Sequence, residues 1–299
     1  MVTTLRGMMC DPSRSRLRTV LAACALTALS ASTRAAAPVA KPTPDPVIVI
    51  VTRIQRADYE GDRAALARLH DELTPFAGER PTAAASIRYW QGFARWRRAL
   101  NGFNDSADPK ELETDLRQAV DEFGDALSRD PAFVDARIAQ VSCLQSLAFL
   151  HAKEPAIVKG LVARFVPAFQ ESVAKAPDNP RVMWVAGMSE WYSPPGLTAA
   201  QVEERHAKAL ATYQHALDLA RRPKRPIRDP LEPSWGEPEL LMSLAWSALN
   251  QTTPDPEAAE DYARQALALV PYWHYVRDIL LPQIQAARKA IQKEEQRSA

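Results

Sequence analysis

The histidines are the first candidates for chemistry in this sequence of 299 residues. Of the five, only His206 has a glutamate three residues before it, Glu203. A Glu and a His at that spacing on a helix can ligate one iron of a carboxylate-bridged di-iron centre, but the centre needs a second such pair. The sequence has no second pair and no zinc-type spacing of Cys and His. We therefore expect solvated side chains here and no metal.

Cys143 is the only cysteine after residue 24, and it lies in the apolar stretch 138–150. A thiol packed in an apolar helix is inert, because burial disfavours the reactive thiolate. The sequence also lacks a Gly-x-Ser-x-Gly elbow and a glycine-rich phosphate loop. We predict no catalytic residues, no cofactor and no enzymatic activity.

The segment 88–98 mixes arginines with aromatic residues, as binders of single-stranded nucleic acid do. Tyr89, Phe93 and Trp96 nevertheless fall on one helical face and the arginines mostly on the other, which favours an amphipathic core helix. Beyond residue 40 the chain has 32 basic and 35 acidic side chains, since five Arg and one Asp of the 37 and 36 precede that point. This balance gives no electrostatic reason to expect a nucleic acid partner.

The amino terminus has the pattern of a secretory signal peptide. Four arginines precede an apolar run at 20–31, which is shorter than the ~20 residues that span a bilayer. We predict a signal peptide at 1–36 that is removed, a linker at 37–46, no transmembrane helix, and a periplasmic or secreted bacterial protein. Residues 21–24 also match a lipobox, but the short apolar run before Cys24 disfavours a lipid anchor there.

A pattern of small, large and small residues recurs along the rest of the chain. Its clearest copy is Ala119, Phe123 and Ala126, followed by Pro131. Positions i, i+4 and i+7 share a helix face, so the small residues let two helices approach each other and the proline ends the helix. Three further copies, one of them degraded, begin at Phe165, Ala209 and Ala259.

The low glycine content, 10 against 24 prolines, and polar residues placed before prolines predict capped helices throughout. The predicted helices cover 47–58, 62–74, 82–101, 109–129, 133–151, 155–175, 180–192, 198–221, 237–250, 256–269 and 273–296. We expect an all-α fold, an α-α superhelix of about 11 helices in antiparallel pairs. It forms a single domain at 47–299, in which 273–299 is the C-terminal capping helix.

The repeated Ala, aromatic, Ala and Pro residues resemble the signature of the tetratricopeptide repeat family, whose unit is a helix pair. The likeness covers roughly residues 82–271. The copies begin 44 to 50 residues apart, against about 34 in the family, so the resemblance implies a divergent solenoid. The segment 179–194 also resembles a group of uncharacterised secreted bacterial proteins of this class.

The resemblance also implies a partner-binding groove. In this family the concave groove is lined by first-helix positions three before, one after and four after the small residue, here Gly187 and Ala245. These positions are Trp184, Met188, Trp191, Met242, Trp246 and Leu249. The groove is either open to an extended peptide or amphipathic helix, or plugged by Trp235 of the loop 221–238.

Two functions follow as hypotheses. The first is an exported scaffold that binds a protein or peptide partner in the concave groove between stacked helix pairs. The alternative is a periplasmic carrier that encloses a small apolar ligand between the helices and the loop 221–238.

Overall fold

The computed structural model describes residues 44–192, 196–222 and 229–298. The predicted signal peptide at 1–36, Cys24, and the predicted linker as far as residue 43 lie outside the described residues. Six residues of the loop 221–238 also lie outside them, at 223–228.

Within the described residues the protein is all-α and has no strand, which confirms the predicted fold class. The eleven α-helices found there are α1 (Pro46–Glu60), α2 (Arg63–Glu79), α3 (Ala84–Asn104), α4 (Pro109–Arg129), α5 (Val134–Leu150), α6 (Pro155–Lys175), α7 (Pro180–Trp191), α8 (Ala199–Arg221), α9 (Glu237–Asn250), α10 (Pro256–Leu269) and α11 (Leu281–Ser298). A 3-10 turn at Pro81–Ala83 precedes α3, and a π-helical stretch at Tyr275–Leu280 leads into α11. No helix in this part of the chain is long and apolar enough to cross a membrane.

Several helices begin at the polar residue that the sequence marks. The side chains of Asp108 and Asn179 accept hydrogen bonds from the backbone N–H of the second residue of α4 and α7, and a proline, which has no N–H, occupies the first helical position in both. Thr198 and Gln201 form a capping box at the start of α8. These contacts satisfy N–H groups that have no partner within a helix, and so they fix where each helix starts.

Successive helices pack against each other, and the repeated residues lie at their contacts. The side chains of Ala119, Phe123 and Ala126 in α4 are fully buried. Between α7 and α8 the backbone of Gly187 lies against the Tyr213 ring, where any Cβ atom would overlap the ring. The contact between α6 and α7 is much smaller than the others, and valines on α6 remain exposed, among them Val162 and Val166.

The first helix of the array also contacts its C-terminal half. The rings of Tyr59 and Trp273 lie 5.0 Å apart, edge to face. Gly61, which ends α1 in the left-handed conformation with φ of 71°, packs against His274. Helix α1 therefore contacts the residues that follow α10 as well as its neighbours in the sequence.

The aromatic residues of segment 88–98 confirm the prediction of a core helix, because Tyr89, Phe93 and Trp96 are buried in α3. The arginines of this segment depart from the amphipathic pattern at one position. Arg97 is 5% exposed, so α3 is covered on its polar side as well. A buried charge requires partners, and Arg97 pairs with Asp58 of α1 and Glu239 of α9.

Candidate functional site

One end of the predicted groove is filled by the segment 229–236. Trp184 of α7 and Trp235 of this segment are 3% and 5% exposed, and their ring centroids lie 5.7 Å apart. Trp235 also contacts the ring of Trp96 at 5.6 Å. The plugged arrangement, which was one of the two expectations for the groove, is therefore the one seen around Trp184.

The other end of the groove remains partly open. Trp191 is buried, and its ring lies 5.3 Å from that of Trp246, which is partly exposed. Tyr192, which the sequence analysis did not select, is 60% exposed and lies 6.5 Å from Trp246. The remaining predicted groove residues are also partly exposed, and they are Met188, Met242 and Leu249.

We call this open end the Tyr192–Trp246 surface, formed by Met188, Tyr192, Met242, Trp246 and Leu249. Met188 and Tyr192 are four residues apart on α7 and its C-cap, and the other three recur at helical spacing on α9, so each set shares one face. Tyr192 gave no signal in the sequence because it is the C-cap of α7, outside the repeat register.

His206 contacts the Tyr192–Trp246 surface indirectly, through Trp191. Its ring stacks on Trp191 with 3.9 Å between centroids and 3° between planes. His206 and Glu203 also line a cleft of about 200 Å³ beside Gln251. Among the described residues no three His, Cys, Asp or Glu side chains are grouped as metal ligands would be.

A second candidate site is a buried ionic cluster that was not predicted from the sequence. We call it the Arg97 cluster, and it consists of Asp58, Tyr59, Arg97 and Glu239. Arg97 Nε donates to Asp58 Oδ2 at 2.7 Å, and Arg97 Nη2 donates to Glu239 Oε1 at 3.3 Å. The Tyr59 hydroxyl donates to the same Glu239 oxygen at 2.9 Å. The cluster joins α1, α3 and α9, and no local sequence pattern reports a pairing over 142 residues.

Protonation in the Arg97 cluster is shifted by burial. Burial raises the pKa of Glu239, Arg97 opposes this, and the neighbouring Asp58 adds to it, so that the pKa lies above its usual 4.5. Burial also raises the pKa of Tyr59 well above 10, so its hydroxyl stays protonated and donates to Glu239. Two carboxyl groups thus share one guanidinium.

A cleft of about 290 Å³ opens above the Arg97 cluster, between α1, α3 and the segment 229–236. We call it the aromatic cleft, because four of its ten lining residues are aromatic. The lining residues are Thr52, Gln55, Arg56, Asp58, Tyr59, Phe93, Ser234, Trp235, Pro238 and Tyr272.

Two other groups that could do chemistry have structural roles instead: Cys143 is packed in the core, and His70 is paired with two carboxylates. Cys143 is buried, and burial raises the pKa of its thiol well above the usual 9.0, so the thiolate is disfavoured. His70 contacts Glu122 Oε1 through Nε2 at 2.5 Å and Asp71 Oδ1 through Nδ1 at 2.8 Å. Both carboxylates stabilise the imidazolium form.

No protein-family model matches the chain, and no curated protein matches it. What the protein binds is therefore inferred from its own residues.

Proposed function

We propose that the protein is a non-catalytic helical-repeat scaffold that binds an apolar segment of another protein at the Tyr192–Trp246 surface. The observation that carries this proposal is the exposure of Tyr192, 60%, beside the partly exposed ring of Trp246. Large aromatic side chains of this kind, Tyr and Trp, are enriched among binding hot spots.

The chemistry of the surface favours a protein segment as the partner. Tyrosine, tryptophan and methionine are enriched where proteins meet, and methionine side chains adapt to the shape of a guest. Glu190, two residues before Tyr192 in the sequence, is paired with Lys208 at 2.7 Å. A partner is therefore expected to present apolar side chains, as one face of an amphipathic helix or an extended strand does.

One residue of the surface is also preorganised. Trp246 packs on Trp191, which in turn stacks on His206, so binding does not have to order the Trp246 ring. The tetratricopeptide resemblance and the exported location remain predictions from the sequence. We propose that the partner binds at the open end of the predicted groove and not along its whole length.

Site-specific photo-crosslinking tests this proposal. A photoreactive phenylalanine analogue is placed at Tyr192 and, as a matched control, at Phe149, which is 65% exposed at the end of α5. The full chain is expressed in its native host and irradiated in intact cells. We expect a discrete protein adduct from position 192 and none from position 149.

A second substitution shows whether the adduct reports binding at this surface. Trp246→Ala, combined with the photoreactive residue at 192, is expected to reduce the adduct yield about tenfold or more, as loss of a hot-spot aromatic does. Equal adducts at positions 192 and 149, or an adduct that Trp246→Ala leaves unchanged, would overturn the proposal.

A further inference from the structure

The cleft beside Gln251, at the C-terminal end of α9, differs from the apolar surface next to it because its lining is mostly polar. We call it the Glu203 cleft. Its lining residues, all at least partly exposed, are Glu203, His206, Ala207, Leu210, Gln251, Thr252 and Thr253. Its volume of about 200 Å³ is below the range of small-molecule sites, so it fits a single side chain of a bound protein.

The Glu203 cleft lies next to the Tyr192–Trp246 surface. The His206 ring stacks on Trp191, and the ring centroids of Trp191 and Trp246 are 5.3 Å apart. Gln251 is the C-cap of α9 and follows Trp246 by five positions, which corresponds to about 7 Å along a helix. A segment bound on Trp246 therefore reaches the cleft within one or two of its own helical turns.

The carboxylate of the cleft is available to a partner. Glu203 is exposed, and within the part of the chain that the structure describes its side chain makes no ion pair and no hydrogen bond. The basic residues closest to it in α8 are directed to α7 instead. Arg205 donates to the Ser189 carbonyl at 2.8 Å, and Lys208 pairs with Glu190 at 2.7 Å. Neither of them neutralises Glu203.

The end of α9 is a second source of negative potential in the Glu203 cleft. The carbonyl end of a helix carries a partial negative charge, and the last turn of α9 contains no basic residue that would balance it. The side chains of Gln251, Thr252 and Thr253 also offer oxygen atoms that accept hydrogen bonds from N–H groups. Both features favour a cation with N–H donors.

We infer that the Glu203 cleft takes a lysine or arginine side chain of the partner, with the cation on Glu203 and the alkyl part on Ala207 and Leu210. The inference rests on the proposed function, because the segment that carries this residue is held at the Tyr192–Trp246 surface. It narrows the partner to an apolar segment with a basic residue at a defined distance. That residue is about three to five positions from the side chain on Trp246 in a helix, or about two to three in a strand.

Selection from a random peptide library tests this partner chemistry. Peptides displayed on phage are selected on the immobilised full chain and, in parallel, on Trp246→Ala. We expect the peptides that need Trp246 to be enriched in Lys or Arg at the stated spacing from an apolar residue. Peptides that need Trp246 but show no such enrichment would agree with the proposed function and overturn the inference. A selection without any peptide that needs Trp246 would contradict both.

Charge reversal tests whether Glu203 binds the cation. Glu203→Lys is expected to weaken binding of a selected peptide about tenfold or more, measured by fluorescence anisotropy. The same peptide with its basic residue changed to Glu should bind Glu203→Lys more tightly than it binds the unsubstituted protein.

Glu204→Lys is the matched control, since Glu204 is exposed at the next position and does not line the cleft. We expect it to change the Kd by less than about threefold, as a distant surface charge does. An unaltered Tm shows that both variants are folded. Equal affinities of Glu203→Lys and Glu204→Lys for the selected peptide would place its cation elsewhere, and the inference would be wrong.

Discussion

Trp235 donates its indole N–H to the Tyr89 hydroxyl at 2.7 Å, which joins the segment after α8 to α3 across 146 residues. Two other tryptophans of the interior also have their N–H groups satisfied. Trp184 donates to Ser243 Oγ and Trp90 to the Leu231 carbonyl, both at 2.9 Å. These hydrogen bonds give directional contacts among the buried rings, so Leu231 and Trp235 of the segment 229–236 are part of the core.

The first prediction concerns the packing of Trp235. Trp235→Ala removes a buried ring that contacts Trp96 and Trp184, and we expect a loss of about 3–5 kcal/mol in the free energy of unfolding. Trp235→Phe keeps a ring and loses the bond to Tyr89, so its loss is expected to be smaller. Urea denaturation followed by circular dichroism measures both. A loss below about 1 kcal/mol for Trp235→Ala would mean that the segment does not close the interior in solution.

The second prediction concerns the close approach of α7 and α8. Gly187→Ala places a methyl group against the Tyr213 ring, and we expect a loss of about 1–3 kcal/mol because the packed core cannot accommodate it. Gly160→Ala is the matched control, since a Cβ atom there meets nothing within 4 Å on the exposed face of α6. It is expected to stabilise the protein by roughly 0.5–1 kcal/mol through helix propensity. If the two variants have the same stability, the helices are not in close contact at Gly187.

The third prediction concerns the Arg97 cluster. Arg97→Met leaves Asp58 and Glu239 buried without their cation, and we expect a loss of about 3–5 kcal/mol at pH 7.5. The loss should be smaller at pH 5, because Glu239, whose pKa burial already raises, then takes up a proton and one buried charge disappears. Urea denaturation at the two pH values measures the difference.

The control for Arg97→Met is Arg53→Met on the surface of α1. Arg53 pairs with Glu72 at 2.9 Å, and both side chains are exposed to solvent. We expect a loss below about 1 kcal/mol with no dependence on pH between 5 and 7.5. Equal losses in the two variants would show that Arg97 is not buried in solution.

The fourth prediction concerns the titration of His70. Burial lowers the pKa of His70, but the hydrogen bonds from its ring to Glu122 and Asp71 outweigh burial and raise the pKa above 6.5. Because the folded-state pKa is the higher one, the stabilisation is fully present below pH about 6.5 and is lost as the pH rises through the folded-state pKa. NMR titration of the imidazole should give a midpoint above 6.5.

Glu122→Gln provides the control for this titration. The amide keeps the size of the side chain and removes its charge, so the His70 midpoint is expected to fall relative to the unsubstituted protein. A midpoint that does not move would show that Glu122 is not the source of the raised pKa.

The helices could be predicted from local signals where those signals are strong. The predicted bounds 109–129, 237–250 and 256–269 agree with α4, α9 and α10, because an Asp before a proline marks the starts of α4 and α10 and Pro238 lies in the first turn of α9. The prediction for α2 stopped at residue 74, but the helix continues through Pro75 to Glu79. Pro75 removes one backbone hydrogen bond, and the last turn is held by Phe76 and the buried Ala77.

The candidate sites were less accessible to sequence reasoning. The repeat register selected Trp191 and Trp246, which the structure brings into contact, because helix periodicity determines which residues share a face. It could not show that Trp235 fills the groove at Trp184, since the path of a loop is not encoded by periodicity. Sequence reasoning could not predict the pairing of Asp58, Arg97 and Glu239 either, because this pairing depends on which helices meet in three dimensions.

The contact of α1 with residues 272–274 has a consequence for how the chain folds and how it can be shortened. In an open repeat array each unit touches only its neighbours, so a terminal unit can fray or be deleted while the others stay folded. Here α1 is not a free end, because Tyr59 packs on Trp273 and Gly61 packs on His274. Removal of α1 would therefore expose Trp273 and His274 as well as the helix that follows α1 in the sequence.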